Sequence, residues 1–479
     1  MSYVEFKCDL QSTPTLLHHF WEHTVGSGHA TLALRADWQK QLSKCKKQLG
    51  FKHVRFHGIL SDDVGTLVNE NNTFVYSFFN ADQICDFLLS IGMRPFMELS
   101  FMPNALSSGS DIVFHYKGNV TPPKNYNDWE TLIKKLITHW VERYGETEVR
   151  QWFFEVWNEP NLDAFWKGTQ AEYFKLYSHT ANAIKKVNKN LKVGGPATAS
   201  NAWISEFRDY CEKNKVQFDF ISTHHYPTDS FGKPGDDTIT QLQKSKRSAL
   251  QSEAKKAKQE AGDKPLYYTE WCTSSNPFDD LHDESYAACF IIKTILEANG
   301  FVDGYSYWTF SDIFEENYFS SIPFHGGFGL MNIYGIPKPA FRAYELLHNI
   351  GEELLQVKGK HDTVDVWVIK KGKIINIVIT NWALPRHAIK TELVKVQLKN
   401  KNIIKTCYIE KIDGLHANPR KSWVEMGSPS SLSPAQVNSL EITSAMVKEP
   451  QITKQEKNWL VVEATLPPQG IAYITLEFE

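Results

Sequence analysis

Short apolar segments alternate with longer segments of helical periodicity between about residue 25 and residue 350. The short segments, rich in β-branched and aromatic residues, predict buried strands, and the longer ones predict the helices that cover them. Eight such pairs can be counted, with strands predicted at 28–34, 53–59, 94–100, 152–158, 192–196, 218–225, 265–272 and 302–310. Eight strand–helix units without a nucleotide-binding fingerprint predict an α/β protein with a (β/α)8 TIM barrel, and a large open α/β sheet is the alternative.

The pattern changes after about residue 352, where apolar and polar residues alternate in DTVDVWVIKK, KIINIVITNW, NWLVVEATL and IAYITLEFE. This period of two, interrupted by Gly, Pro and Asn turns, predicts a β-sandwich. The first ten residues also alternate weakly at Tyr3, Val4 and Phe6. We therefore expect an N-terminal segment 1–14 that adds a strand to the sandwich, a barrel at 15–351 and a sandwich domain at 352–479.

Composition narrows the classes of partner. The chain has 479 residues with 52 basic and 55 acidic side chains, so no overall field attracts nucleic acid or an anionic membrane. No segment has the length of apolar sequence that a membrane helix needs, and the N-terminus does not resemble a secretory signal. Seven scattered cysteines without metal-type spacing are typical of free thiols in a reducing compartment. We expect a cytoplasmic protein with a small, neutral partner.

Polar residues concentrate at the predicted carboxyl ends of the barrel strands, where barrel enzymes place their chemistry. They are Arg55, His57, Glu98, Asn158, Glu159, His224, Tyr226, Glu270, Trp308 and Asp312. Glu159 ends an apolar strand in FEVWNEPN, and Glu270 ends another in LYYTEWC. A single strand-end glutamate is more often a salt-bridge partner, but two on the fourth and seventh strands face each other across a barrel mouth.

Cleavage of a glycosidic bond needs one carboxyl group to protonate the leaving oxygen and a second to meet the positive charge that develops at the anomeric carbon. A separation of about 5 Å between the two groups predicts retention of configuration, and a wider gap predicts inversion. Since two neighbouring carboxyls do not both ionise readily, one is expected to keep its proton while the other is charged.

The chain resembles glycoside hydrolase family 39, the β-xylosidase and α-L-iduronidase family, over nearly its whole length. The matching motifs are RFHGILSDD, FEVWNEPNL, VGGPAT, YTEW, YWTFSDIFEE and FHGGFGL. The resemblance implies that Glu159 is the acid/base, Glu270 the nucleophile and Asn158 the partner of the sugar 2-hydroxyl. It further implies that His57 and His224 bind hydroxyls, that Tyr226 orients the nucleophile or contacts the sugar, and that Trp308 lies under the ring. Glu315 and Glu316 follow the eighth strand, and one of them is expected to bind a distal hydroxyl.

The sugar is expected to be neutral, because an iduronidase needs a cation for its substrate carboxylate, whereas Arg55 is better placed to hold the glutamates. We therefore predict an exo-acting β-D-xylosidase that releases xylose from the non-reducing end of xylo-oligosaccharides. The alternatives are another enzyme of the clan (an α-L-iduronidase, a β-galactosidase or arabinosidase, or an endo-glycanase) and an inactive carbohydrate-binding protein.

Other chemistries find no support in the sequence. His18, His19 and His23 lack the HExxH pattern of a zinc helix, and there is no Walker loop, GxGxxG or GxSxG motif. We expect neither a metal nor a cofactor. The resemblance also implies a homo-oligomer, either a tetramer or a dimer.

Overall fold

The computed structural model describes residues 3–228, 236–316, 320–400 and 403–479. Eight parallel strands close into a barrel, so the predicted TIM barrel is confirmed and the open sheet is excluded. The barrel strands are β1 (Thr24–His29), β2 (His53–His57), β3 (Arg94–Leu99), β4 (Phe153–Val156), β5 (Lys192–Thr198), β6 (Phe220–His224), β7 (Leu266–Trp271) and β8 (Gly304–Tyr307).

The first barrel strand lies earlier in the chain than predicted. The structure has β1 at Thr24–His29, and most of the predicted strand 28–34 is a 3₁₀ helix, Ala30–Leu34. Two glycines weaken the strand signal in β1, and both are required by close packing. A side chain at Gly26 would lie 2.6 Å from the Trp308 ring, and one at Gly28 would overlap the carbonyl of Phe314.

Helices cover the barrel on the outside. They are α1 (Ala36–Leu49), α2 (Phe79–Ser90), α3 (Tyr126–Tyr144), α4 (Gln170–Val187), α5 (Ile204–Asn214), α6 (Ala249–Ala261), α7 (Ser285–Ala298) and α8 (Pro339–Asn349), with shorter helices at Glu146–Val149 and Thr238–Lys244. Helix α4 begins with a capping box between Thr169 and Glu172, which satisfies backbone donors of its first turn. Each helix turns an apolar face toward the strands, as in α3, where Trp129, Leu136 and Trp140 are buried.

The inside of the barrel changes character along each strand. Phe96, Phe153, Phe220 and Tyr267 form an aromatic cluster near the amino ends of β3, β4, β6 and β7. Two residues further along β3 and β4, on the same side of the strand, lie Glu98 and Glu155. The barrel is therefore closed by apolar rings at one end and lined by charged groups at the other.

The second domain is the predicted β-sandwich. One sheet has the strand order Val357–Lys358, Val4–Asp9, Glu392–Lys399, Trp459–Leu466 and Thr453–Glu456, and the other has Thr15–Leu16, Glu353–Leu355, Val364–Lys371, Ile374–Asn381, Gly470–Phe478, Ile404–Ile412 and Glu449–Pro450. The N-terminal strand pairs in parallel with Glu392–Lys399. The inner faces form a separate apolar core of mostly Val, Ile and Leu.

Two helices of the second domain, α9 (Pro419–Glu425) and α10 (Pro434–Thr443), pack against the barrel. Trp423 and Leu440 from these helices form an apolar cluster with Phe324 and Ile336, which lie in the long segment between β8 and α8. The second domain thus supports a segment that leads to the barrel mouth. Within the described residues, no helix is both long and apolar enough to span a membrane.

Candidate active site

Arg55, a fully buried residue of β2, lies at the centre of the barrel mouth. Its guanidinium donates to Glu155 (2.6 Å), Glu270 (2.7 Å) and the side-chain oxygen of Asn158 (2.9 Å), and it lies 2.7 Å from Glu98. Burial alone would lower the pKa of Arg55, but the surrounding carboxylates raise it above its ordinary value. One permanent cation therefore organises three carboxyl groups and an amide that come from β3, β4 with its carboxyl end, and β7.

Glu270, at the end of β7, is held at both oxygens. Arg55 donates to Oε1, and the hydroxyl of Tyr226 donates to Oε2 at 2.8 Å. Burial raises the pKa of Glu270, while Arg55 and Tyr226 oppose that rise by stabilising the charged form. The contacts fix the orientation of a carboxylate that points into the mouth.

The hydrogen bonds of His224 assign a proton to Glu159. Burial, together with the nearby Arg55, lowers the pKa of His224 well below its ordinary value, so the ring is neutral. The hydroxyl of Thr269 donates to Glu155 at 2.8 Å and can only accept from His224 Nε2, which lies 3.1 Å away. The single ring proton therefore lies on Nε2. His224 Nδ1, 2.9 Å from Glu159 Oε1, must accept, and Glu159 is the donor.

The backbone at Glu159 has an unusual conformation. Its φ of 43° lies in the left-handed region, which costs a non-glycine residue of order 1 kcal/mol or more. A backbone hydrogen bond to Ala197 holds it at 2.8 Å, and Pro160 prevents the chain from continuing as a helix. The turn aims the carboxyl group across the mouth.

The two carboxyl groups lie close together. One side-chain oxygen of Glu159, one of Glu270 and a ring nitrogen of His224 all lie within 4.8 Å of one another. Retaining glycosidases have carboxyl groups about 5–5.5 Å apart, whereas inverting enzymes separate them by about 6.5–9.5 Å to admit a water molecule. The nearest oxygens of Glu159 and Glu270, at most 4.8 Å apart, are closer to the spacing of the retaining enzymes.

A second polar group lies beside this pair. His57 contacts Glu98 at 2.6 Å through Nδ1 and Glu316 at 3.3 Å through Nε2. Burial and Arg55 lower the pKa of His57 to about 3, so the ring is neutral. Burial raises the pKa of Glu98 to about 7, although Arg55 opposes the rise. Burial and the nearby carboxylates Glu270 and Glu98 raise the pKa of Glu316 well above its ordinary value. Neutral His57 and protonated Glu316 thus offer donors and acceptors without adding charge.

These groups surround a cavity of about 490 Å³. Its lining includes His57, Asn158, Glu159, Tyr226, Glu270, Trp308 and Glu316, all predicted from the sequence. Arg55 and His224 lie behind the lining and contact its glutamates. Glu315 lies apart, because its carboxylate pairs with Arg35. Of the two glutamates after β8, only Glu316 faces the cavity.

Several residues of the site were not singled out in the sequence. Glu155 and Thr269 complete the hydrogen-bond network, and Phe114, Phe314 and Phe328 line the cavity. A signal for Glu155 exists, since a glutamate inside the apolar strand FFEV needs a buried partner. The phenylalanines lie in long loops without periodicity, where the sequence gives no indication of direction.

Glu159, His224 and Glu270 are also close enough together to bind a metal ion. The Nδ1 atom of His224 is, however, already engaged by Glu159, and both oxygens of Glu270 accept from the protein. The set therefore fits two reacting carboxyl groups better than three free metal ligands.

Comparisons with known proteins agree with this geometry. The sequence profile described as Glycosyl hydrolases family 39 matches residues 4–458. A beta-xylosidase of Caldicellulosiruptor saccharolyticus is 48% identical over 473 residues, covering 96% of each chain, and one of Geobacillus stearothermophilus is 38% identical, covering 85% of this chain and 83% of that protein. The crystal structure of a monomeric beta-xylosidase from Caulobacter crescentus CB15 superimposes with a TM-score of 0.87 at 34% identity over 99% of both chains. The predicted resemblance is confirmed: the chain belongs to glycosyl hydrolases family 39.

Proposed function

We propose that this protein is a retaining, exo-acting β-D-xylosidase that releases xylose from the non-reducing end of xylo-oligosaccharides. The observation that carries the proposal is the pair Glu159 and Glu270, with oxygens within 4.8 Å and with opposite protonation favoured by their neighbours. The family membership and the two related proteins described as beta-xylosidases support the same reaction and sugar.

In the first step, a carboxylate oxygen of Glu270 attacks the anomeric carbon and forms a covalent glycosyl ester. Glu159 transfers its proton to the leaving oxygen, so the departing alcohol carries no charge. The donors Arg55 and Tyr226 on Glu270 hold it in the attacking orientation. His224 is left with a free lone pair on Nδ1 as Glu159 loses its proton.

In the second step, the ester has neutralised Glu270, and Glu159 is then a carboxylate facing the site that the alcohol has left. It takes a proton from an incoming water, which attacks the anomeric carbon and releases the sugar with its original configuration. Free Glu270 regains its contacts with Arg55 and Tyr226.

The sugar ring is proposed to lie on Trp308, with Asn158 bonded to the 2-hydroxyl and His57 and Glu316 bonded to more distant hydroxyls. Trp308 is positioned by His57, whose ring centroid lies 4.9 Å away, and by the guanidinium of Arg55 at 5.8 Å. Because Arg55 also donates to Asn158, one cation orients both the nucleophile and the 2-hydroxyl partner.

A neutral sugar is favoured over a uronic acid. Among the described residues that line the cavity there is no Lys or Arg, and the guanidinium of Arg55 is already occupied by protein carboxylates. A substrate carboxylate would meet Glu316, Glu159 and Glu270 without a cation to pair with it, which is unfavourable in a buried site.

The test is a panel of aryl glycosides followed by product analysis. Hydrolysis of 4-nitrophenyl β-D-xyloside should greatly exceed that of the glucoside, galactoside, arabinoside and iduronide. Faster hydrolysis of any of the other four glycosides would overturn the xylose assignment. On xylo-oligosaccharides the enzyme should release monomer from the start, and on long xylan a rapid fall in chain length would instead indicate an endo-glycanase. Binding of sugar without turnover of any member would favour a carbohydrate-binding protein.

Location, cofactor and assembly belong to the same proposal. All seven cysteines are free, which supports a reducing, cytoplasmic compartment. The reaction is proposed to need no cofactor, so a chelator should leave the rate unchanged.

A homo-oligomer is proposed, and exposed apolar side chains of the second domain, Leu415, Ile442 and Val447, support it. Light scattering during size-exclusion chromatography measures the mass directly.

A further inference from the structure

The side chains around the barrel mouth follow one another in an order that matches the atoms of a pyranose ring. The proposed partner of the 2-hydroxyl, Asn158, follows β4; His57 ends β2, and Glu316 follows β8. Around the barrel, β3 lies between β4 and β2, and β1 lies between β2 and β8. The three positions therefore follow one another along one arc of the rim. If the sugar is placed as proposed above, with C1 at Glu270 and C2 at Asn158, this order puts carbons C3 and C4 opposite His57 and Glu316.

Two phenylalanines line the part of the cavity beside Trp308. The ring of Phe314 packs edge-on against Trp308, with centroids 5.9 Å apart, and against Phe328, with centroids 5.3 Å apart. Phe328 in turn lies 5.2 Å from the ring of His282, in the segment that follows β7. Both phenylalanines line the cavity. Among the described residues, these two phenyl rings therefore line the cavity between Glu316 and the segment after β7, and in the proposed placement of the sugar they lie on the side of C5.

The segment that carries Phe328 is fixed by buried ion pairs. Lys338 Nζ forms ion pairs with Asp283 at 2.6 Å and with Asp312 at 2.7 Å, and it donates to the Gly327 carbonyl at 2.9 Å. All three charged side chains are fully buried. Burial opposes the charge on Lys338, but the two aspartates raise its pKa above its ordinary value.

The aspartates also hold the backbone on either side of Phe328. Asp283 accepts from the amide of Gly326 and Asp312 from the amide of Gly329, each at 2.8 Å. A side chain at Gly326, whose φ is 77°, would lie 2.6 Å from the backbone of Asp279. The backbone at residues 326–329 is therefore closely packed and hydrogen-bonded. It cannot move away from a larger substrate without breaking contacts with buried charged groups.

We propose that Phe328, supported by Phe314, is the residue that excludes substituents on C5 of the sugar and so restricts the enzyme to pentopyranosides. A pentose presents a CH₂ group to the phenyl rings. A hexose would add a CH₂OH group that overlaps the ring of Phe328 and finds no hydrogen-bond partner on it. This inference rests on the proposed xylosidase function.

The test compares three substrates on the wild-type enzyme and on Phe328→Ala. They are the 4-nitrophenyl β-glycosides of xylose, 6-deoxyglucose and glucose; the first two differ only by a methyl group on C5. A steric wall predicts that the wild type discriminates against the methyl group at least about tenfold in kcat/KM, the usual range for one carbon being about 10–200-fold. In Phe328→Ala, the ratio of the 6-deoxyglucoside to the xyloside should rise about tenfold or more, and the glucoside should gain less.

A ratio is used because a folding defect lowers the rates on all three substrates by the same factor. Phe328→Leu, which keeps an apolar side chain in the cluster, should move the ratio in the same direction and serves if the alanine variant does not fold. The matched control is Phe278→Ala, in the outer lining and 49% exposed, which should leave the ratio unchanged.

Two outcomes overturn the inference: wild-type discrimination below about threefold, or a ratio that stays constant in both Phe328 variants while xyloside hydrolysis persists. Neither affects the proposed reaction. Absence of xyloside hydrolysis in the wild type, with turnover of another glycoside, would instead refute the xylosidase function itself.

Discussion

The two ends of the barrel are built from the same strands but have opposite chemistry. At the amino ends, Phe96 and Phe153 stack with centroids 5.0 Å apart, and Phe220 and Tyr267 pack edge-on around them. At the carboxyl ends, Arg55 is surrounded by Glu98, Glu155 and Glu270. The rings bury apolar surface, which favours folding, whereas buried charges are costly even when paired. The difference indicates that the charged groups at the carboxyl ends of the strands are maintained for chemistry rather than for stability.

Removal of the proposed nucleophile should give the largest effect. Glu270→Gly is expected to lower kcat on aryl xyloside by roughly 10⁴-fold or more, because no covalent intermediate can form. Its thermal stability should not fall, since one of several mutually repelling carboxyl groups is removed. Added azide should restore turnover of an activated substrate and give the α-glycosyl azide, identified by NMR. Hydrolysis at the wild-type rate would contradict the assignment.

The proposed acid should show a dependence on the leaving group. Glu159→Ala is expected to lower kcat/KM by about 10²–10⁴-fold for xylosides of poorly acidic alcohols, which need the proton. The first step should be nearly unaffected for a dinitrophenyl xyloside, whose phenolate leaves unaided. Equal losses on both substrates, measured by pre-steady-state and steady-state kinetics, would argue against an acid role.

The aromatic end should respond in the opposite way. Phe153→Ala is expected to lower the free energy of unfolding by about 3–5 kcal/mol, as for other buried phenylalanines, and to leave kcat per folded molecule unchanged. Phe79→Ala, at a position 81% exposed on α2, is the control and should change stability by less than about 0.5 kcal/mol. A large loss of kcat in folded Phe153→Ala would mean that the two ends are coupled.

The contrast between the two ends also explains what the sequence predicts. Glu159 and Glu270 could be singled out as candidates because each lies at or just after the carboxyl end of an apolar strand, where barrel enzymes place their chemistry. The packing of β1 could not be predicted, because the residues that require Gly26 and Gly28, Trp308 and Phe314, lie nearly 300 positions away in the sequence. The burial of Lys338 could not be predicted either. Its partners Asp283 and Asp312 come from other segments, and no local pattern distinguishes a buried lysine from a solvated one.

Smaller effects should appear in the dependence of stability on pH, where Glu98 at the mouth and His53 at the aromatic end should contribute with opposite signs. At the mouth, burial raises the pKa of Glu98 from 4.5 to about 7. Its contribution to stability is therefore fully present below pH 4.5 and is lost as the pH rises to about 7. Glu98→Gln should remove this loss, so its melting temperature relative to wild type should be higher at pH 8 than at pH 4.5. An unchanged difference across that range would contradict a buried, titrating Glu98.

At the aromatic end, His53 stacks on His23 with centroids 4.6 Å apart, and burial lowers its pKa from 6.5 to about 4. Its contribution to stability is present above pH 6.5 and is lost as the pH falls to about 4, because the unfolded chain binds the proton first. His53→Gln should make the loss of stability at acid pH smaller, and His23, His57 and His224, whose pKa values burial also lowers, should retain the rest of it. The same variant should leave the loss between pH 4.5 and 7 unchanged. If His53→Gln instead changed the loss of stability between pH 4.5 and 7, the titration of Glu98 at the mouth would depend on a residue at the aromatic end. The two ends of the barrel would then not be electrostatically independent.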